Sequence, residues 1–355
     1  MREFSLVITS NIRLLTTGGT IGSTSQSETV NVNLGQQQLD KHIESMCRDK
    51  NITLSSRAVF NKNSEDIGPA DWGLLIEAIN EELAAGNNKI LITHGTDTMA
   101  YSLFAVATCF AHLPATIVFT GSCFTLDHPK SDVSANLLGA LATLSEPQLA
   151  TGVYLSFLNA NQQISVIDAM RLKPMSFDKL YFEATFDEEI GVFNDDLSCF
   201  APTDKPQNKP AALPLPLDAN SINYSSLGEQ QGIFRLQCYP GMNAAQLCSN
   251  IEAGSCVIVS LYHCGTGPSQ SQARDLVTAI QSRPDITFLG GAFPARYISK
   301  PYQATATLIK SGMKIYQNIQ THQLYVLAVL WLSAGKSLVE LTNALKLYEL
   351  TSPEF

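Results

Sequence analysis

Residues 89–100 read Lys-Ile-Leu-Ile-Thr-His-Gly-Thr-Asp-Thr-Met-Ala, and this stretch decides the predicted fold. Its first five residues form a short apolar run, which predicts a buried strand. Five polar or small residues follow, and from Met99 an apolar segment continues to Leu113, just before Pro114, which predicts a long helix. A buried strand, a polar loop and a helix in this order are typical of an α/β fold with parallel strands.

The same alternation extends outward from this stretch over the first part of the chain. Further strands are predicted at residues 12–16, 55–60, 115–120 and 152–158, and helices from Pro69 and near 134–145. Helices that lie between buried apolar strands imply parallel pairing with right-handed crossovers. The sequence therefore predicts a large parallel-sheet N-terminal α/β domain over residues 1–200.

The composition changes after residue 200 and then changes back. Residues 201–217 hold five prolines with Asn and Lys between them, so residues 201–231 are predicted to be a linker. After it, strands are predicted at 232–238, 256–261 and 286–289, and helices at 244–251, 269–281, 303–311, 322–333 and 337–348. A smaller C-terminal α/β domain over residues 232–355 is therefore expected, joined to the first by a proline-rich linker.

Bulk properties of the 355 residues exclude several classes of protein. The net charge of −9 argues against nucleic acid or an anionic membrane as the main partner, because both select basic surfaces. No apolar run reaches the roughly 18 residues of a membrane helix, and the N-terminus does not resemble a secretory signal. Eight cysteines without a Cys-x-x-Cys pair indicate reduced thiols, so we expect a cytoplasmic protein.

Loops rich in Thr, Ser, Gly and Asp follow several predicted strands, where open parallel sheets bind ligands. In residues 16–22, Thr17 occupies the place of the first glycine of a dinucleotide fingerprint, which argues against that cofactor. In residues 94–98, two hydroxyls flank a carboxylate at a helix start. Asp97 or Thr98 could simply cap the helix, so this loop alone leaves a structural role open.

Taken in order, the two loops resemble the signatures of the L-asparaginase family of threonine amidohydrolases, with the closest likeness to its bacterial cytosolic type I branch. The matching residues are Thr17-Gly18-Gly19-Thr20-Ile21 and His94-Gly95-Thr96-Asp97-Thr98-Met99, followed more loosely by Gly121-Ser122, Ser131-Asp132, Asn136-Leu137-Leu138 and Tyr239-Pro240-Gly241.

The resemblance implies a mechanism and a set of site residues. Thr17 would attack the side-chain amide of L-asparagine, or of glutamine or an analogue, and form an acyl-enzyme with release of ammonia. Thr96, Asp97 and a lysine would form a second polar cluster. Ser64 and Glu65 would hold the α-carboxylate and α-ammonium groups of a small amino-acid substrate, with Gly95 and Asp97 also in contact with it. The resemblance implies no metal or cofactor, and a homodimer or homotetramer.

Two departures from the family pattern keep an alternative function open. The family's tyrosine after the first signature is missing, since residues 22–39 contain none and its place falls near Thr29-Val30. The expected lysine position falls on Arg171, while Lys173 comes two residues later, so either residue is a candidate for that role. The alternative is a catalytically impaired or repurposed member that binds an amino acid or hydrolyses a different small amide.

Overall fold

A computed structural model describes residues 11–23, 32–49, 52–203, 215–229, 232–270, 274–292 and 300–350. The chain divides into two compact units between Ala219 and Asn220, inside the stretch that the sequence predicts to be a linker. The described part of that stretch carries two short 3-10 helices, Ala219–Ser221 and Tyr224–Glu229. Residues 204–214 lie outside the described ranges, so the linker and the domain boundaries at 200 and 232 stay predictions.

The first unit is built on one eight-stranded sheet. Its strands are β1 (Ile12–Gly18), β2 (Leu54–Lys62), β3 (Lys89–Thr93), β4 (Thr116–Thr120), β5 (Gly152–Leu158), β6 (Ile164–Asp168), β7 (Gly191–Phe193) and β8 (Phe200–Pro202). They lie in the order β2-β1-β3-β4-β5-β6-β7-β8. The first five pair in parallel, as predicted, and β6, β7 and β8 pair antiparallel. The sequence did not predict these last three strands, two of which have only three residues.

Four helices of the first unit accompany the parallel strands. They are α1 (Val32–Asp49), α2 (Pro69–Ala84), α3 (Met99–Phe110) and α4 (Val133–Ser145). Helix α3 ends three residues before the predicted Leu113. Helix α1 was not predicted, although its buried residues Leu39, Ile43 and Cys47 follow the four-residue spacing of a helix face. Leu14, Leu91 and Val118 pack with residues of α1 and α4 in one hydrophobic cluster, so these two helices cover one face of the sheet.

The second unit is a smaller α/β unit, as the sequence predicts, and it contains a four-stranded parallel sheet. Its strands are β9 (Ile233–Gln237), β10 (Cys256–Ser260), β11 (Thr287–Ala292) and β12 (Lys314–Gln317), in the order β12-β11-β10-β9. Its helices are α5 (Ala244–Cys248), α6 (Leu276–Ser282), α7 (Gln303–Lys310), α8 (Thr321–Ser333) and α9 (Leu338–Ala344). Strand β12 was not predicted, and α6 is shorter than expected because Asp275 caps it by accepting the backbone amide of Thr278.

The strand order places one crevice in the first unit. The connection from β1 leads to β2 on one side, and the next strand, β3, lies on the other side of β1. Such a reversal opens a crevice beyond the carboxyl ends of the two central strands, where doubly wound folds bind their ligands. The second sheet adds its strands in one direction and has no reversal. None of the described helices is long and apolar enough to cross a membrane.

Candidate active site

Thr17 lies at the reversal of strand order between β1 and β3. Its side chain is fully buried, and its hydroxyl donates a hydrogen bond of 2.9 Å to the backbone carbonyl of Thr93, the last residue of β3. The pairing of β1 with β2 is regular up to Thr16 and shifts between Thr16 and Gly18. The hydroxyl that the resemblance implies to be the nucleophile therefore lies at the reversal of strand order, the place where doubly wound folds bind their ligands.

Two glycines after Thr17 bring three chain segments into backbone contact. Gly18 and Gly19 have positive φ angles of 98° and 84°, a conformation that glycine adopts most readily. A Cβ at Gly18 would lie 2.5 Å from the carbonyl oxygen of Lys62, and a Cβ at Gly19 would lie 2.5 Å from the Cα of Gly95. Because real Cβ atoms do not approach that closely, the two signature loops can meet only through glycine.

Ser64 joins the loop after β2 to the second signature. Its hydroxyl donates to the Asp97 carboxylate at 3.1 Å and accepts from the Asp97 backbone amide at 3.2 Å. The hydroxyl of Thr98 donates to the Ser64 carbonyl at 2.7 Å and makes no capping hydrogen bond to helix α3, so the capping role that the sequence left open for Thr98 is wrong. A Cβ at Gly95 would lie 2.6 Å from the Ser64 hydroxyl.

Six of the predicted site residues thus lie at one edge of the sheet. Thr17 is linked through the glycine contact to Gly95, and Gly95 packs on Ser64, which bonds Asp97. Thr96 is half-buried between Gly95 and Asp97. Glu65 follows Ser64 in a 3-10 turn and is exposed, as is Asp97. Two exposed carboxylates beside a buried hydroxyl make this edge suited to a small cationic or zwitterionic ligand.

Arg171, one of the two candidates for the lysine role, forms a buried ion pair. Its guanidinium donates to the Glu188 carboxylate at 2.7 Å, and both side chains are almost fully buried. The Arg171 carbonyl accepts from the backbone amide and the hydroxyl of Thr185. These contacts link the two ends of the segment that joins β6 to β7, and they keep the Arg171 guanidinium bound to Glu188.

Lys173, the other candidate, pairs with a carboxylate on its own loop. Its amine lies 3.7 Å from the Glu183 carboxylate, which also binds the amine of Lys179. The hydrogen bond from Lys179, with the charge of Lys173 adding to it, lowers the pKa of Glu183, so this carboxylate is ionised. Within the described residues, no hydrogen bond joins Lys173 to Thr17, Thr96 or Asp97. The Lys173 side chain is 37% exposed.

Cys123, which the sequence did not single out, forms a hydrogen bond to residues 171–183, called the lysine loop below because this segment carries Lys173. Its thiol donates to the carbonyl of Leu180 at 3.3 Å, and its backbone amide and that of Phe124 donate to the Asp132 carboxylate. Burial raises the pKa of the Cys123 thiol to about 12, and the charges of Asp132 and Asp97 add to that rise.

His94 begins the second signature and is fully buried. Its Nδ1 lies 2.7 Å from the Gly95 carbonyl, so the neutral ring must carry its proton on Nδ1 to donate there. Burial lowers the pKa of His94 to about 4, against smaller opposing contributions from the Gly95 carbonyl and the Asp71 carboxylate. The ring is therefore neutral near pH 7 and serves to hold Gly95 in place. No cluster of metal-ligating side chains occurs among the residues that the structure describes.

Comparison with known proteins shows the family and the fold of the chain. Residues 11–198 match the family described as Asparaginase, N-terminal. The chain superposes on the thermostable L-asparaginase from Thermococcus kodakarensis with a TM-score of 0.74 at 19% identity, over 95% of this chain and 97% of the other. For L-asparaginase I from Vibrio cholerae the TM-score is 0.71 at 21% identity, over 95% and 96% of the two chains. At these identities the likeness shows a shared fold.

Curated relatives match less than half of the chain. A glutamyl-tRNA(Gln) amidotransferase subunit from Methanococcus vannielii is 34% identical over 146 residues, 41% of this chain and 33% of that protein. The corresponding amidotransferase protein from Saccharolobus solfataricus is 33% identical over 136 residues, 38% of this chain and 30% of that protein. The chain thus spans about a third of the length of the curated relatives that it matches.

Proposed function

The chain belongs to the asparaginase family, and we propose that it hydrolyses the side-chain amide of L-asparagine, or of glutamine or a close analogue, to the acid and ammonia. The observation that carries this proposal is the position of Thr17, at the reversal of strand order and within one contact network with Gly95, Ser64 and Asp97. Thr17 would attack the amide carbon and release ammonia, and water would then release the acid from the acyl-enzyme.

Proton transfer is assigned to Thr96, Asp97 and Lys173. The carbonyl of Thr93 can accept a hydrogen bond from Thr17 but cannot take its proton, so the hydroxyl must turn to another acceptor before it attacks. Arg171 is a poor choice because its guanidinium is held in the buried pair with Glu188. Lys173 is partly exposed, and a hydrogen bond from the Cys123 thiol to the Leu180 carbonyl holds the loop that carries it, which favours Lys173 over Arg171 for this role.

Substrate binding is assigned to Glu65, Ser64 and Asp97, so Asp97 serves both functions. The Glu65 and Asp97 carboxylates suit an α-ammonium group by charge, and Ser64 can offer its hydroxyl to the α-carboxylate once a ligand displaces its bond to Asp97. Gly95 and Thr96 lie shortly before the first residue of helix α3. Their backbone amides suit a developing oxyanion. The proposed reaction needs no metal or cofactor.

Release of ammonia tests this proposal directly. Purified protein is incubated with asparagine and, separately, with glutamine, beside a Thr17→Ala variant whose thermal unfolding matches that of the parent protein. Ammonia from the parent that exceeds the variant's by at least the roughly 100-fold contribution of a catalytic group supports the assignment. Equal release from both proteins, or none from either, would contradict it.

The alternative is an impaired or repurposed member that binds an amino acid. The observation that favours it is the state of Thr17, whose hydroxyl is fully buried and donates to a backbone carbonyl. The position near Thr29-Val30, where the family's tyrosine would fall, lies outside the described residues. Calorimetric titration with aspartate and asparagine separates the two functions, because tight binding without ammonia release favours the alternative.

Partner and location are also proposals. The relatives that are amidotransferase subunits support a second candidate, in which the released nitrogen serves a partner protein. The net charge of −9 argues against direct binding to tRNA by this chain. A homodimer or homotetramer in the cytoplasm remains the proposed state, and light scattering on the purified protein measures the number of chains.

A further inference from the structure

Lys62, the last residue of β2, is in contact with the Thr17 loop through its backbone. Its carbonyl accepts a hydrogen bond of 3.0 Å from the Gly19 amide. The same carbonyl is the atom that a Cβ at Gly18 would strike. The pairing of β1 and β2 slips between Thr16 and Gly18, and this slip brings Lys62 opposite Gly18. The backbone of Lys62 therefore sets where the loop after Thr17 can lie.

The side chain of Lys62 binds the far end of the loop that carries Ser64, residues 62–71, which is called the Ser64 loop below. Its amine lies 2.7 Å from Oδ1 of Asp71, and Oδ2 of the same carboxylate accepts the backbone amide of Gly68 at 3.0 Å. The Asp71 side chain is only 5% exposed, whereas that of Lys62 is 45% exposed. One buried carboxylate thus closes the segment 62–71 into a loop, with a solvent-accessible lysine as its counter-ion.

Ser64 and Glu65 lie inside this closed segment. The Ser64 carbonyl accepts the amide of Ile67 at 3.1 Å, and its hydroxyl bonds Asp97. A shift of the segment would therefore move Ser64 and Glu65 together relative to Thr17. Because Lys62 contacts the Thr17 loop by its backbone and Asp71 by its side chain, one residue couples the proposed nucleophile to the proposed substrate-binding groups.

We propose that the Lys62–Asp71 ion pair positions Ser64 and Glu65 for substrate binding, which makes Lys62 a positioning residue of this site. The expected change in KM rests on the proposed function, whereas the expected change in the structure of residues 62–71 does not. Ser64 and Glu65 would hold the ground state and the transition state of the substrate alike, so loss of the ion pair weakens binding more than it slows the chemical step.

Kinetics of Lys62→Met test the proposal. We expect KM for the accepted amide to rise by about 5- to 20-fold, less than the roughly 100-fold that a displacement of 1 Å can cost, while kcat changes by less than about 3-fold. Lys62→Arg restores the charge and should recover most of the loss. A matched control is Arg57→Met, which removes the ion pair of Arg57 with Glu81 between the same strand and helix, away from the site.

Salt provides a second kinetic readout. Raising the NaCl concentration from about 0.1 M to about 1 M shortens the Debye length from roughly 10 Å to 3 Å and weakens exposed ion pairs. KM of the parent protein should then rise toward the value of Lys62→Met, and KM of that variant should respond less. An equal rise of KM in both proteins, or a KM effect of Arg57→Met as large as that of Lys62→Met, overturns the proposal.

Hydrogen exchange of the ligand-free full chain decides the proposal even if no amide is hydrolysed. Lys62→Met should speed exchange of the Gly68 amide and of peptides that cover residues 62–71 by at least about 5-fold, because their local opening no longer breaks an ion pair. Arg57→Met should leave them within about 2-fold of the parent. Unchanged exchange in Lys62→Met overturns the inference, whereas absence of ammonia release alone contradicts only the proposed function.

Discussion

Gly19 and Gly95 are in direct backbone contact, since a Cβ at Gly19 would lie 2.5 Å from both the amide nitrogen and the Cα of Gly95. One glycine belongs to the loop that follows Thr17 and the other precedes Thr96. The contact therefore sets the distance between the two threonines that the proposed chemistry needs. It also explains why both loops carry glycine at these places in physical terms, because no side chain fits between them.

A substitution at this contact should disable the site. Gly19→Ala combines a non-glycine residue at φ 84°, which costs about 1–3 kcal/mol, with a clash against backbone that costs about 1–3 kcal/mol more. Because the clash pushes the loops apart, we expect kcat/KM for ammonia release to fall by at least about 100-fold. Steady-state kinetics and urea unfolding of the same preparation measure both effects.

Gly86→Ala is the matched control for that substitution. Gly86 has a similar φ of 87°, and a Cβ there would meet nothing within 4 Å. It should lose about 1–2 kcal/mol of stability from its backbone alone and keep its kcat/KM. Equal kinetic losses in the two variants would show that the Gly19–Gly95 contact has no special role.

Substitution of Arg171 should lower the stability of the protein, whereas substitution of Lys173 should lower its catalytic rate. Arg171→Met leaves the buried Glu188 carboxylate without its counter-ion, so we expect a loss of about 3–5 kcal/mol in the free energy of unfolding. Lys173→Met should change stability by less than about 0.5 kcal/mol, because its ion pair is exposed, and should lower kcat by about 100-fold or more.

Denaturant unfolding and ammonia kinetics on both variants check this contrast. In the double variant Arg171→Met/Glu188→Leu the stability loss should be smaller than the sum of the two single losses, since no unpaired charge remains. Normal turnover by Lys173→Met would remove Lys173 from the proposed mechanism.

Buried histidines should make the protein less stable in mild acid. Burial lowers the pKa of His94 from its ordinary 6.5 to about 4, so the folded chain keeps the ring neutral while the unfolded chain protonates it. The contribution is fully present above pH 6.5 and is lost as the pH falls toward 4. At pH 5 the loss is about 2 kcal/mol. His322 in the second unit has its pKa lowered to about 3, mainly by burial, and acts in the same direction.

Urea unfolding at pH 7 and pH 5 measures this effect, with His94→Gln as the comparison. The variant should lose less stability between the two pH values than the parent protein does. Burial raises the pKa of Asp168, which works in the opposite sense, but that contribution is common to both proteins and cancels in the difference. Identical losses in parent and variant would contradict the assignment to His94.

Asp132 should prove important for the lysine loop. Asp132→Ala removes the acceptor for the amides of Cys123 and Phe124 and for the side-chain amide of Asn136, so we expect a loss of about 1–3 kcal/mol. Because Cys123 holds the carbonyl of Leu180, kcat should fall as well. Ser131→Ala is the control, since the contact of its hydroxyl with the Val133 amide is long at 3.4 Å, and it should change stability by less than about 0.5 kcal/mol.

Much of the fold could be predicted from sequence because buried parallel strands have a strong local signal. The strands at 89–93 and 152–158 were predicted with their observed bounds, and Pro69 correctly began α2. Strands β6 to β8 were missed because short antiparallel strands lack a long apolar run. Helix α1 was missed because its polar residues Gln36, Gln37 and Gln38 obscure the apolar spacing that follows.

The candidate site, like the fold, could be predicted from the sequence only in part. The two glycine-containing motifs were sufficient to predict that Thr17, Gly95, Thr96 and Asp97 share one edge, because strand-end loops of neighbouring parallel strands must meet there. The partners of Arg171 and Lys173 were not predictable, since Glu188 and Glu183 lie 17 and 10 residues further along a loop without a regular period. Lys62 and Asp71 carry no motif, and nothing local marked them.

The sequence by itself determined the alternation of strands and helices, the family and the residue types at the strand ends, because each depends on residues close together in the chain. Only the tertiary structure decided which charges pair. It pairs Arg171 with Glu188, and it joins the Thr17 loop to the Ser64 loop through Lys62. Ion pairs and close backbone contacts depend on distances between distant segments, and those distances exist only once the strand order β2-β1-β3 has formed.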